Sequence, residues 1–215
     1  SVGVYVAPGK EIIGVTGNST SSYGTHNTGI LVSSNSSSDG KASTISGGIH
    51  TINGTYSNGI ELDTKEDTTI ISVIFNVLGQ HSTGLVAGRH WNQHNPMNDL
   101  VVTNSIFNVS GGNNNSTSGI YLDNVKKTKI NPTTYMYVAN ASTGIELINS
   151  GSATREIEFG RGNVSMHLGR NHSTSFNDGG GNIGVNIISD KSVNGGTVGF
   201  VNQTLAAQKQ VKIHG

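Results

Sequence analysis

Asn58-Gly-Ile-Glu-Leu, Ser118-Gly-Ile-Tyr-Leu and Thr143-Gly-Ile-Glu-Leu are versions of one short phrase, a glycine set just before an alternating apolar strand. The phrase recurs in looser form at Ser1-Val-Gly-Val-Tyr-Val, Thr28-Gly-Ile-Leu-Val, Thr83-Gly-Leu-Val-Ala and Ile183-Gly-Val-Asn-Ile. Its glycines (Gly3, Gly29, Gly59, Gly84, Gly119, Gly144, Gly184) are separated by 26, 30, 25, 35, 25 and 40 residues. A unit of about 25 residues that lengthens but never shrinks is what stacked coils require. Each coil must pair with its neighbours, so its core length is fixed while its corners are free to grow.

Downstream of each landmark comes an apolar residue, followed five and seven residues later by two more: Ile70/Phe75/Val77, Val102/Phe107/Val109 and Ile130/Tyr135/Tyr137. Ile49 and Ile52 fit the same scheme loosely. Period-two alternation rich in β-branched and aromatic residues is the strand signature. No segment carries the i, i+3, i+4, i+7 stripe of an amphipathic helix. An antiparallel sandwich would also give many short strands, but its turns would recur every 8–12 residues without realigning whole coils. The expectation is an all-β, parallel β-helix (solenoid) of about seven coils of 25 or more residues with inserted loops. Ile30, Ile60, Leu85, Ile120, Ile145 and Val185 should stack in one inward column.

Composition agrees. Glycine supplies 30 of 215 residues and charged residues only 12%, a balance that would read as disorder without periodic apolar positions. The 33% hydrophobic content falls at strand positions, and stacked coils join it into one core. Residues 1–215 read as one elongated β-helix segment. It begins inside a repeat and closes on Lys212-Ile-His-Gly, the expectation being a piece of a longer protein. Equal counts of 13 basic and 13 acidic residues exclude a phosphate-binding surplus, so no nucleic-acid partner is expected. The one basic run, Lys126-Lys127-Thr-Lys129, reads as a solvated edge. No stretch is long and apolar enough for a membrane span, so direct membrane insertion of this segment is not expected. The absence of cysteine accords with export through an oxidising compartment.

Asp99-Leu-Val-Val-Thr-Asn-Ser-Ile-Phe-Asn-Val followed by Ser118-Gly-Ile-Tyr-Leu-Asp-Asn-Val resembles the right-handed parallel β-helix superfamily, and the resemblance covers nearly the whole chain. That superfamily includes pectate-lyase-like enzymes, phage tailspikes and autotransporter passenger domains, so the resemblance implies a fold and leaves function open. A cysteine-free chain rich in Asn, Gly, Ser and Thr, with one Trp, six Tyr and five Phe, is most similar to autotransporter or related adhesin passengers. The resemblance implies an extracellular, cell-surface bacterial protein that attaches to a host glycan or matrix protein, or associates with itself. The alternative is a tailspike or polysaccharide-degrading enzyme. An ice-binding solenoid would need regular Thr-x-Thr ladders, which irregular coil lengths disfavour.

Catalysis finds little support. Glycoside hydrolysis needs two carboxyl groups at a defined separation. Glu61 and Glu146 should share one outward column and Asp63 and Asp123 another, but the coils holding Asp63 and Asp123 are not adjacent, and Glu146 adjoins the Asp123 coil offset along the strand. No Gly-x-Ser-x-Gly elbow is present, no catalytic residue is assigned, and neither metal nor cofactor is implied. The most unusual segment is Gly88-Arg-His-Trp-Asn-Gln-His-Asn-Pro-Met-Asn98, an expected inserted loop near residues 88–98. Arg89, His90, Trp91, Asn92, Gln93 and His94 are its candidate binding residues: an apolar ring beside amide and cationic donors. The four-residue spacing of His90 and His94 has no metal-binding meaning without a helix. A second inserted region is expected near residues 160–181, with Arg161, His167, Arg170, His172 and the Asp178-Gly-Gly-Gly run. Asn-x-Ser/Thr tripeptides begin at Asn18, Asn35, Asn53, Asn108, Asn114, Asn115, Asn140, Asn163, Asn171 and Asn202. In so Asn-rich a chain they do not choose a kingdom.

Overall fold

The computed structural model describes the backbone of residues 1–19, 26–33, 41–88, 97–111, 117–123, 125–131, 134–139, 142–149, 156–159, 165–168, 183–189, 197–199, 205–206 and 209–214. Side chains are described within these segments up to Glu146, apart from residues 18 and 19. The first coil contributes β1 (Val2–Val6), β2 (Glu11–Ile13) and β3 (Gly17–Ser19). Next come β4 (Asn27–Ser33), β5 (Ser43–Ser46), β6 (Ile49–Ile52), β7 (Ser57–Asp63), β8 (Thr68–Ile71) and β9 (Ile74–Val77). They are followed by β10 (Thr83–Ala87), β11 (Met97–Thr103), β12 (Ile106–Val109), β13 (Ser118–Asp123), β14 (Val125–Ile130) and β15 (Tyr135–Val138). The chain continues through β16 (Thr143–Asn149), β17 (Glu156–Phe159), β18 (Ser165–Leu168), β19 (Ile183–Ser189), β20 (Thr197–Gly199), β21 (Leu205–Ala206) and β22 (Lys209–His214).

Every third strand joins the same sheet, and all pairings are parallel. The first sheet runs β1-β4-β7-β10-β13-β16-β19-β22, the second β2-β5-β8-β11-β14-β17-β20, and the third β3-β6-β9-β12-β15-β18-β21. This is a parallel β-solenoid, with no helix among the described residues. Four consecutive turns, from β4 to β15, carry described side chains throughout their strands.

The core is a set of columns. Ile30, Ile60, Leu85, Ile120 and Ile145 pair in register and are fully buried, and the register continues to Val185. Beside them run Val32, Leu62, Ala87 and Leu122. The second sheet contributes Ile12, Ile45, Ile70, Val102 and Ile130. The third contributes Ile52, Val77, Val109 and Val138 and, next to it, His50, Phe75, Phe107 and Met136. Phe75 and Phe107 stack with centroids 4.6 Å apart, close to the strand spacing that sets the step between coils.

Two expectations for the third sheet are corrected. Met136 and Val138, not Tyr135 and Tyr137, continue the Phe107 and Val109 columns. The corner between Ile130 and Tyr135, which holds Pro132, is one residue longer than its predecessors, and a one-residue slip reverses every side chain. Tyr137 is accordingly exposed. In β6 the inward residue is His50 and Ile49 is exposed, by the same alternation. The basic run also departs from expectation: β14 lies inside the second sheet, where Lys127 pairs between Asp99 and Glu156. It is a rung of alternating charge rather than an edge.

The landmark glycines have one physical cause. A Cβ on Gly3, Gly59, Gly84 or Gly119 would lie 2.9, 2.6, 2.8 or 2.7 Å from the carbonyl oxygen of the next coil's landmark glycine. A Cβ on Gly59 would also meet the core side chains of Ile52 and Phe75, at 3.0 and 3.2 Å, so the position is closed to any side chain. Buried hydroxyls complete the corners. Ser82 Oγ donates to the Gly54 carbonyl (2.6 Å) and accepts from the Ser57 amide (3.0 Å), and Thr117 Oγ1 donates to the Gly79 carbonyl (3.0 Å). These bonds account for part of the Ser/Thr content, because buried corner amides and carbonyls need partners.

Gly84→Ala should destabilise the protein by about 1–3 kcal/mol, the usual cost of overpacking. Gly17→Ala should leave the thermal midpoint unchanged or slightly raised, because its Cβ meets only His50 Nδ1, at 3.7 Å. Equal losses in thermal melts of the two variants would contradict the glycine column.

Candidate functional site

Three residues ahead of Gly29, Gly59 and Gly84 stand His26, Tyr56 and His81. The corner from the third sheet into the first repeats, so these rings form a ladder along the stack. Tyr56 and His81 lie nearly parallel, 4.7 Å apart at 11°, and His26 meets Tyr56 edge-on at 6.1 Å. Tyr56 and His81 both hold left-handed backbone, with φ of 55° and 53°. Bulky residues rarely adopt it, and the cost is of order 1–3 kcal/mol each. Strained aromatic residues repeated at one corner are a reason to look there for function.

The ladder borders a groove of about 320 Å³ whose other walls are Asn58, Thr83, Val86, Tyr121 and Glu146. Val86, Tyr121 and Glu146 belong to the column Leu31, Glu61, Val86, Tyr121 and Glu146, all in register on the first sheet. The residues just before Gly29, Gly59 and Gly119 serve this column. Thr28 Oγ1 and Asn58 Nδ2 donate to Glu61 Oε2 at 3.0 and 3.2 Å, and Ser118 Oγ donates to Glu146 Oε2 at 2.9 Å. These hydroxyls and amides fix the carboxylates as acceptors beside the aromatic ring edges.

Glu61 and Glu146 do share a column, as the spacing predicts, but Val86 and Tyr121 stand between them. Three strand spacings put their backbones about 14 Å apart. Paired glycosidase carboxyls lie about 5–9.5 Å apart. Asp63 and Asp123 are held on β7 and β13 with β10 between, and Asp63 Oδ2 accepts from Ser33 Oγ at 3.2 Å. Among the described residues no group of three or more His, Asp or Glu side chains is placed to hold a metal ion.

Arg89, His90, Trp91, Asn92, Gln93 and His94 lie outside the described residues. Their segment leaves β10 through Gly88, whose φ of 82° turns the chain, and returns at β11. The ladder stands at the opposite end of the first-sheet strands. Of the second region expected as an insertion, residues 165–168 form β18 and the remainder lies outside the described residues.

His50 is the other unusual side chain. It is 1% exposed and stacks on Phe75 with centroids 5.7 Å apart, and neither ring nitrogen has a hydrogen-bond partner among the described residues. Burial pushes its pKa below the usual histidine value, because a buried imidazolium loses its hydration. The folded state therefore binds this proton less readily than the unfolded chain. Stability from neutral His50 is complete above about pH 6.5 and falls as pH drops below it.

His50→Phe should abolish that dependence. Between pH 7 and 5 the wild type should lose more stability than the variant, by at most about 1.4 kcal/mol per pH unit. Parallel denaturation profiles for the two proteins over that range would contradict a buried neutral imidazole. No family model, curated protein or solved structure matches this chain.

Proposed function

We propose that this chain is a segment of a surface-displayed bacterial adhesin, a stiff solenoid whose His26–Tyr56–His81 ladder and groove bind a host glycan. The observation that carries the reading is a row of aromatic edges, two of them on strained backbone, beside hydrogen-bond-anchored carboxylates. A polyhydroxylated chain lying along the stack axis would donate hydroxyls to Glu146. It would pack its ring C–H faces against Val86 and Tyr121. Pockets for neutral ligands join apolar walls to a few placed polar groups in this way.

The duty is passive. Carboxylates about 14 Å apart cannot act as an acid and base on one bond. Weak single contacts gain strength when many copies engage one surface. The extracellular location rests on the cysteine-free, Asn- and Thr-rich composition and on the resemblance to exported passengers. Attachment to a matrix protein or to a second copy would use the same passive display.

Binding should appear on a panel of immobilised host glycans and matrix glycoproteins, with no release of reducing ends or unsaturated products from bacterial polysaccharide. Tyr56→Gly keeps the left-handed corner while removing the ring, and Glu146→Gln removes the charge. Each should weaken binding about tenfold, equivalent to about 1.4 kcal/mol, with the melt nearly unchanged. If only Trp91→Ala weakens binding, the 88–98 loop is the site and the ladder is a corner. Cleavage products would replace the adhesin reading with a polysaccharide-degrading one.

A further inference from the structure

Residues 12–38, 42–60, 68–88, 100–122 and 130–145 contain no Asp, Glu, Lys or Arg. In five successive coils these stretches take in the third-sheet strand (β3, β6, β9, β12 or β15) and the corners on both sides of it. The charged residues of the same coils fall on the first and second sheets and on the segments that join them. One whole side of the stack is therefore uncharged, in a chain that carries 13 basic and 13 acidic residues.

Two outward rows cross that side. Ile49, Ile74, Ile106 and Tyr135 pair in register as one, and Thr51, Asn76, Asn108 and Tyr137 as the other. Ile49 and Tyr137 are exposed, as is Leu78 beside them, and the rest of the first row is partly exposed. Bulky apolar side chains in a row on a solvated sheet mark an interaction surface. Asn108 Nδ2 donates to Asn76 Oδ1 at 2.8 Å, so the amide row meets part of its own hydrogen-bonding need and loses less when covered.

The face selects its partner by charge and by period. A charged partner would bury its ions against isoleucine and amide with nothing to pair them. The rows repeat at the strand spacing of about 4.8 Å, and a second copy of the stack presents rows of the same period. Two such sheets can interdigitate about 10 Å apart. Seven strands, mostly of four residues, make a face of roughly 30 by 13 Å. Two such faces bury about 800 Å², below the roughly 1,200–2,000 Å² of stable complexes, which sets the contact as weak and reversible.

We propose that the third-sheet face is where two copies of this chain associate, face to face about a two-fold axis, with the Ile49–Ile74–Ile106 row at the centre. The carboxylate column of the groove belongs to the first sheet, and the pairing does not depend on the glycan reading.

Sedimentation equilibrium of the purified chain, from micromolar to millimolar concentration, tests it. The weight-average mass should rise toward that of a dimer and should not fall as sodium chloride is added, because no ion pair is screened. Ile106→Lys should weaken association about tenfold or more, since each copy would then press a lysine onto an apolar row, with the melt of the dilute protein nearly unchanged. Asn108→Lys, in the neighbouring row, should act the same way and stands in if Ile106→Lys melts early. Thr69→Lys, an outward change on the second sheet, should associate as the wild type does. A monomer throughout the range would overturn the proposal, as would dissociation by salt, unaltered association of both face variants, or an equal loss in Thr69→Lys. A monomeric wild type whose glycan binding is lost in Ile106→Lys would also overturn it, assigning the face to that ligand.

Discussion

The contact between landmark glycines is what the rest of the structure depends on. At Gly3, Gly59, Gly84 and Gly119 the backbone of a coil touches the carbonyl oxygen of the next, at 2.6 to 2.9 Å from where a Cβ would be. No other residue allows that approach. It sets the lateral register of the first sheet, and with it the position of every inward column. It also fixes where outward residues fall, so a residue at a given offset from a glycine meets its counterpart one coil away. The solenoid becomes a template on which sequence repeats turn into rows.

Those rows were legible where the offset is constant. Ile60, Leu85 and Ile120 follow their glycines directly and are fully buried in one column. Legibility failed where a corner changes length. Tyr135 and Tyr137 have the stronger strand character, yet the longer corner at Pro132 turns Met136 and Val138 inward instead. His50 was missed for a related reason: a polar ring at a core position breaks the apolar pattern that periodicity detects. Its presence marks the place where the ring column gives way to Gly17.

The candidate site was only partly readable. Trp91 and its neighbours drew notice because they are rare residue types, which is a statement about composition. The ladder carried a positional signal, since His26, Tyr56 and His81 stand at one offset before successive glycines. That signal stops at Ser116 and Ala141, the corresponding residues of the next two coils, so it is too short to register as a repeat. Its left-handed backbone and ring stacking are properties that only coordinates supply. The carboxylates show the opposite case. Their shared column was predictable, and the same register that aligns them also holds them too far apart for paired acid–base chemistry.

The central claim is that successive coils stack in parallel with glycine-set register, and methyl-labelled nuclear Overhauser spectroscopy tests it most directly. Ile60–Leu85, Leu85–Ile120 and Ile120–Ile145 are neighbours in register and should each give a strong methyl–methyl cross-peak. Ile30 and Ile120 are three strand spacings apart, about 14 Å, and should give none. An Ile30–Ile120 cross-peak, or the absence of the three neighbour peaks, would contradict the stack.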